Sequence, residues 1–526
     1  MPILPPGSVN PNSLIAPGVY ISPQLPAPPL TGAPTDIILF VGTAIGGPVN
    51  APVTCFGLQE YINIFGTPQN STYDMGTQVM IAASMRAYNF VCVRVTDGTD
   101  VKADADILDT ATPTPAIGMT VTAKNSGTLG NQIKIIISEG TNSTVSAPTY
   151  KVTILYPTGT GNSIPENFDN IGGAGATLWQ NMVNAINLGQ GSLAPPSALV
   201  TAAIGVSTGT PDLETYTLAG GTTGNSGVNA ASLVGDDTTT PREGMYAARD
   251  VDFDLMVLSN VSDGATYIEQ VNFAESQAAY AILTRPSNES FTAGITAKKA
   301  ISFDPNMMAW GKLMVGDWVR VQDNFNKVQR YVSPQSFVAG KLANLAPEQS
   351  GLNKPMASSL FLGTQISDNN GRYTADDIAQ ILLNGLDVIA RPSPGGFYFA
   401  EQTGKNLLGN LNILANGDEF TRNTDFLMSS IQDFAGPYIG RLISDSESKA
   451  LKAGVVSFLA NLWAQEKIGL SNDPRTVPYL VSVDNSESIK GIQILNVEVA
   501  FLKVLVVLLV NLQTGVASIS SVNNQI

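Results

Sequence analysis

The sequence predicts a multidomain protein of mixed α/β and α+β class. It comprises an α/β core, a mainly β domain inserted into that core, an α+β carboxyl-terminal domain and an extended arm at each end. Three observations lead there. Strand-like and helix-like segments alternate on both sides of residues 118–227 but not within them, prolines crowd the first segment, and two long helical periods precede the last strand-like runs. At 526 residues the chain also exceeds one ordinary core.

The arm, residues 1–35, comes first. In LIAPGVYISPQLPAPPL the β-competent run Gly18, Val19, Tyr20, Ile21 and Ser22 is bracketed by Pro17 and Pro23, and Pro26, Pro28 and Pro29 follow. Proline holds the backbone extended and removes donors, so neither a helix nor a local hairpin forms there. Backbone groups without a local partner must pair elsewhere, meet water or join another molecule's sheet.

The first part of the core, 36–117, holds a buried strand (Ile37 to Val41), a short helix in GLQEYINIFG stopped by Gly66, a helix from Met75, and a strand in FVCVRV. Residues 118–227 change texture: MTVTAKNSGTLGNQIKIIIS and YKVTILYPTGTGNS are β-rich and separated by Gly, Asn, Ser and Thr turns. The core resumes over 228–400. REGMYAARD reads as helical, FDLMVLS as strand, ATYIEQVNFAESQ as helix, AYAILTR as strand and FTAGITAKKAI as helix; Ser333 is a candidate N-cap with Pro334 in the first turn of the next helix.

The carboxyl-terminal domain, 401–512, starts helical. FLMSSIQDFAGPYIGRLIS is a helix that Pro437 should kink, and the next carries a Ser444/Glu447 capping-box pattern with Leu451, Val455, Phe458, Leu459 and Leu462 on one face. Lys449 and Lys452 lie on its solvent side, which fits a solvated face or a contact with an acidic partner. GIQILNVEVAF and KVLVVLLVNLQ read as two closing strands, the second buried. The tail, 513–526, is a second short, β-competent, uncharged segment.

Composition excludes several function classes. With 43 acidic against 28 basic residues and no basic block, direct binding to nucleic acid is not expected. There is no histidine, which removes Ser-His-Asp and Cys-His relays and His-ligated metals. Two cysteines, Cys55 and Cys92, make neither a disulfide framework nor a zinc set, and with no signal-like amino terminus they imply a reducing cytoplasm. GGTTGNSG (Gly220 to Gly227) and GTLGN lack the Lys-Ser/Thr ending of a phosphate loop and read as turns. In DVDFD the spacing of Asp250, Asp252 and Asp254 imitates a calcium loop, but Leu255 stands where the turn needs glycine, so it reads as a strand with one polar face. No catalytic residue, cofactor site or metal site is assigned. Charged residues are only 13% of the chain and mean hydropathy is +0.11, so much of the surface is expected to be covered by a partner.

APGVY in an extended arm, followed by FVGTAIGGPVNAPVTCFGLQEYINIFG, resembles the tail sheath proteins of contractile bacteriophages. The resemblance continues in TAKNSGTLGNQIKI and SPQSFVAGKLANLAPEQSGLNKPMA and spans nearly the whole chain in order. Near GGFYFAEQT the family's tryptophan is replaced by Phe399, and the arginine-rich helix entry is thinned to Arg422.

The resemblance implies a non-enzymatic sheath subunit with a subtilisin-like, non-catalytic core. It further implies that the arms of neighbouring copies add strands to the carboxyl-terminal domain, through Gly18–Ser22 and through Val516, Ala517, Ser518, Ile519, Ser520, Ser521 and Val522. Lys449 and Lys452 become possible contacts with the tail tube. The implied partners are further copies of the chain, the tube protein, and baseplate and terminator proteins, without nucleic acid, cofactor or membrane insertion. The implied location is the virion, after assembly in the host cytoplasm. A headless injection particle is the same-class alternative, and a hydrolase without histidine or a surface-layer protein are the alternatives of other classes.

Overall fold

The computed structural model describes residues 30, 32–158, 161–162, 165–392, 398–470, 472–473, 475–506 and 508. At its centre the strand Ile37–Gly42 has Ile38, Leu39, Phe40 and Val41 wholly buried, as a strand covered on both faces requires. It pairs in parallel with Leu255–Leu258 on one side and Asn89–Arg94 on the other. The six-stranded sheet runs Gly311–Met314, Tyr280–Thr284, Leu255–Leu258, Ile37–Gly42, Asn89–Arg94, Val53–Phe56, with only the last strand antiparallel. Side chains alternate between two layers. Leu39, Val41, Met256 and Leu258 join one apolar cluster, while Ile38, Phe40, Leu255 and Val257 join the other.

Helices Leu58–Phe65 and Met75–Ser84 form as expected, the first ending at Gly66 with φ 90° and the second capped by Asp74, which accepts from the Thr77 N–H. Helix Gln335–Ala343 packs on Met75–Ser84 through Gly340, where a Cβ would stand 2.9 Å from Ala82 Cα. Three local expectations are corrected here. Ser333 is not the N-cap: its hydroxyl donates to Gln335 Oε1 (2.9 Å), and Pro334 takes the cap position without a side-chain bond. DVDFD is not strand; the strand starts at Leu255 because Asp254 turns back to accept from the Ile37 N–H (2.9 Å) and Asp250 pairs with Arg242. REGMYAARD contains only a 3-10 turn, Gly244–Ala248.

The inserted unit has a three-stranded sheet (Val200–Ile204, Ile117–Ser126, Lys102–Leu108) and a four-stranded one (Glu166–Gly172, Thr149–Leu155, Lys134–Glu139, Thr215–Thr217). Between them lies a helix, Ala176–Leu188, that presents Leu178, Trp179, Met182, Val183 and Ile186 to a shared apolar cluster. That cluster takes in Ala103 and Ile107, so the packing of this unit begins ahead of residue 118.

A neck of extended backbone joins insert and core, and Arg94 organises it. Buried without exposure at the end of a core strand, its guanidinium donates to the carbonyls of Gly47 (2.7 Å), Ser126 (2.6 Å) and Thr223 (2.9 Å). The turn segment Gly220–Gly227 returns through this neck, with the Gly227 N–H on Asp97 (2.7 Å). Arg94→Met leaves two buried carbonyls, those of Gly47 and Ser126, and the part-buried one of Thr223 without this donor, a buried one costing roughly 1–3 kcal/mol when unsatisfied. Hydrogen exchange is expected to quicken in 96–101 and 220–227 while Ile37–Gly42 stays protected; equal protection throughout would show that the neck holds without this arginine.

Candidate assembly interface

The carboxyl-terminal unit is built on two helices. Asp418–Ala435 ends at Gly436, and Pro437 falls in a following 3-10 turn, so the proline stops the helix rather than kinking it. The second helix, Asp445–Ala464, buries Leu451, Val455, Phe458, Leu459 and Leu462 on one face, as their spacing requires. Its cap is half a capping box: the Ser444 hydroxyl accepts from the Glu447 N–H, while the Glu447 carboxylate pairs with Arg441 (3.2 Å).

On these helices lies a hairpin, Tyr479–Asp484 with Ile494–Val499, in register from Tyr479↔Val499 to Asp484↔Ile494. Among the described residues it is a two-stranded sheet, so each strand keeps one unpaired edge. Val481, Leu495, Val497 and Val499 face the helices, whereas Leu480 and Ile494 face outward and are exposed. The expected second closing strand, 503–513, falls largely outside the described residues. Phe501–Val506 and Leu508 carry no strand, and Leu505, Val506 and Leu508 are exposed. An isolated two-stranded ribbon is marginal in water and needs further strands or a covering layer.

Beside the Ile494–Val499 strand a groove of about 670 Å³ runs along the helix Asp418–Ala435, lined by Leu427, Met428, Ile431, Leu495, Val497 and Val499 among others. The end of the amino-terminal arm and the run that follows the hairpin lie next to it. Leu30 and Phe501 pack against the same apolar cluster as the hairpin; the Ala33 N–H donates to Ser430 Oγ (2.9 Å), and the Phe501 ring lies 5.9 Å from that of Phe420. Gly18–Ser22 and Val516–Val522 lie outside the described residues. Lys449 and Lys452 are exposed on the second helix, and Lys449 pairs with Asp445 at 2.5 Å, a surface pair of small energetic weight.

The junction between core and carboxyl-terminal unit contains a cluster that sequence reasoning missed. Lys312, Asp387, Glu401 and Asp418 are all without exposure, and Lys312 Nζ stands 2.8 Å from Asp387, 2.7 Å from Glu401 and 3.0 Å from Asp418. Lys312 comes from the edge strand of the core sheet, and Asp418 opens the helix Asp418–Ala435. Asp418 also accepts from the Tyr280 hydroxyl (3.0 Å) and the Ser350 hydroxyl (3.3 Å). Although desolvated, Asp387 is held below the usual carboxylate range by Lys312 and by the N–H groups of Val388 and Thr403. Glu401 lacks such donors, and desolvation, reinforced by Asp387 and Asp418, pushes it up to about 8.

A folded-state value above the unfolded one means that the native chain keeps a proton that the unfolded chain releases. The contribution of Glu401 therefore falls as pH rises from its ordinary 4.5 to about 8, and is flat outside that interval. Asp425, buried and pushed up to about 8 with the Trp310 indole N–H on it (2.7 Å), adds a dependence of the same sign. Glu401→Gln is expected to raise thermal stability at pH 8 relative to pH 5 and to flatten the profile between them. An unchanged slope would remove Glu401 as the proton carrier.

Among the described residues no group of three His, Cys, Asp or Glu side chains is arranged to hold a metal, since Lys312 Nζ occupies the point where its carboxylates converge. No described helix is long and apolar enough to cross a membrane.

The architecture is that of the tail sheath proteins of phage-like and contractile injection particles, a mixed α/β multidomain fold. A sheath tail protein from Listeria innocua superposes with a TM-score of 0.60 at 14% identity, over 89% of this chain and 93% of that one. A sheath tail protein from Desulfitobacterium hafniense gives 0.53 at 15% identity, over 88% and 93%. The contracted sheath complex of an extracellular contractile injection system gives 0.52 at 10% identity, over 95% and 98%. No protein-family model and no curated protein matches the sequence.

Proposed function

We propose that this chain is the structural subunit of a contractile sheath. Many copies polymerise as stacked rings around an inner tube in an extended, metastable state, and a baseplate signal releases them. Contact between copies increases as the sheath shortens, and stored conformational free energy drives the tube through the host envelope in genome ejection. The observation that carries this reading is that Leu30 and Phe501, toward the two ends of the described chain, pack on the unit whose hairpin, among the described residues, has two unpaired edges. Gly18–Ser22 and Val516–Val522 of neighbouring copies would extend that hairpin, since backbone pairing joins copies with little demand on sequence.

The remaining assignments follow the resemblance. The subtilisin-like core is non-catalytic, the inserted domain faces outward, and the carboxyl-terminal domain lies nearest the tube, with Lys449 and Lys452 as contacts to it. The tube, baseplate and terminator proteins are the partners, and the particle is a virion assembled in the host cytoplasm. A headless injection particle uses the same mechanics. Negative-stain electron microscopy of the purified full chain tests the proposal: hollow striated tubes are expected, whereas monomers that turn over substrates in a broad hydrolase screen would overturn it.

A further inference from the structure

Arginine use in this acidic chain is economical. Arg242, Arg249, Arg285, Arg320, Arg330 and Arg441 each have a carboxylate partner, and the buried Arg94 and Arg422 donate to backbone carbonyls. The other four described arginines, Arg86, Arg372, Arg391 and Arg475, are in no ion pair, and of these Arg372 and Arg391 lie together. Both line one pocket of about 410 Å³ in the core, together with Thr364, Ser367, Asn370 and Tyr373, and no carboxylate is among its lining residues. Among the described residues neither arginine is in an ion pair, and the stretch that follows Arg391, Ser-Pro-Gly-Gly-Phe over 393–397, brings no charge. The Arg391 guanidinium sits 4.9 Å from the Phe399 ring centroid, a stacked position that orients the group and leaves its N–H edge available.

Two arginines lining one pocket without an acid form a receptor for an anion, and planar bidentate donors match a carboxylate. We infer that this pocket takes an Asp or Glu side chain from a second copy of the chain, adding an ionic contact separate from strand exchange. Charge complementarity favours that occupant. The chain carries 43 acidic and 28 basic residues, so a neighbouring copy offers carboxylates in excess over cations. The inference rests on the polymer reading.

Zero-length carbodiimide coupling tests it. Arg372→Lys and Arg391→Lys keep the charge and add a reactive amine, and isotopically heavy and light full-length chains are mixed before assembly. Heavy–light crosslinked peptides joining position 372 or 391 to an Asp or Glu are expected, and they should fade as salt is raised before coupling. Tubes that yield only crosslinks within one copy, or none at these positions, would overturn the inference and leave the sheath reading intact. Heavy–light crosslinks in a chain that forms small oligomers but no tubes would support the contact and overturn the sheath. Neither tubes nor heavy–light crosslinks would overturn both.

Discussion

Lys312→Met is expected to loosen the carboxyl-terminal unit from the core by roughly 3–5 kcal/mol, the range for breaking a buried ion pair by removing one partner. The lysine is the only cation among three carboxylates that have no exposure. Without it, Asp387 loses the cation that holds it below the usual carboxylate range, and must stay charged with hydrogen bonds alone or take up a proton. The loss is therefore larger at pH 8 than at pH 5, where protonation is easier. Hydrogen exchange across Asp418–Ala435 in an arm-deleted subunit measures it, and wild-type protection at pH 8 would show that the lysine is not what holds the junction. The cluster also bears on mechanics. A helix whose first half is buried in the core through Asp418, Thr421 and Arg422, and whose second half carries Leu427 and Phe434 into the next unit, couples the two stiffly. Arg422 strengthens the coupling by donating to the carbonyls of Leu345 (2.8 Å) and Ala346 (3.1 Å).

The second large effect concerns those arms. Deleting residues 1–24, or Val19→Pro, is expected to abolish polymerisation while leaving a folded monomer, measured by sedimentation velocity together with circular dichroism. About five or six ladder hydrogen bonds at roughly 0.5–1.5 kcal/mol net each give several kcal/mol per donated strand. Repeated at every copy, that is enough to hold a polymer, and a proline within the run removes a donor and clashes with the ladder. The prolines on either side work in the opposite direction, because a segment already extended loses less entropy on docking. Polymers of normal length from either variant would show the amino-terminal arm to be dispensable.

The core was legible because its strands are buried on both faces and read as unbroken apolar runs, as in IILFVG and NFVCVR. The helix face Leu451–Leu462 was legible for the complementary reason, a single stripe at helical spacing. Helix Ala176–Leu188 has the same kind of stripe, but it is short and set among Gly- and Thr-rich turns, so the surrounding β texture hides it. The first strand of the hairpin was missed. VLVVLLV has the stronger apolar signal, yet the strand that pairs with Ile494–Val499 is Tyr479–Asp484, whose alternation is diluted by Ser482 and Asp484. The Lys312 cluster draws its members from four separate segments. Its one local signal was a single charged residue set in or at the end of each of the otherwise apolar runs GKLM, LDVI and FYFAE, a pattern that marks buried pairing but does not name the partner.

The central claim is that copies join by completing the hairpin of a neighbour. A helical reconstruction by cryo-electron microscopy of the polymer formed by the full chain addresses it directly. Density for strands from other copies along the unpaired edges of Tyr479–Asp484 and Ile494–Val499, traceable to Gly18–Ser22 or Val516–Val522, is the expected result. A polymer in which those edges stay bare, or are covered only by the same copy's own chain, would contradict it.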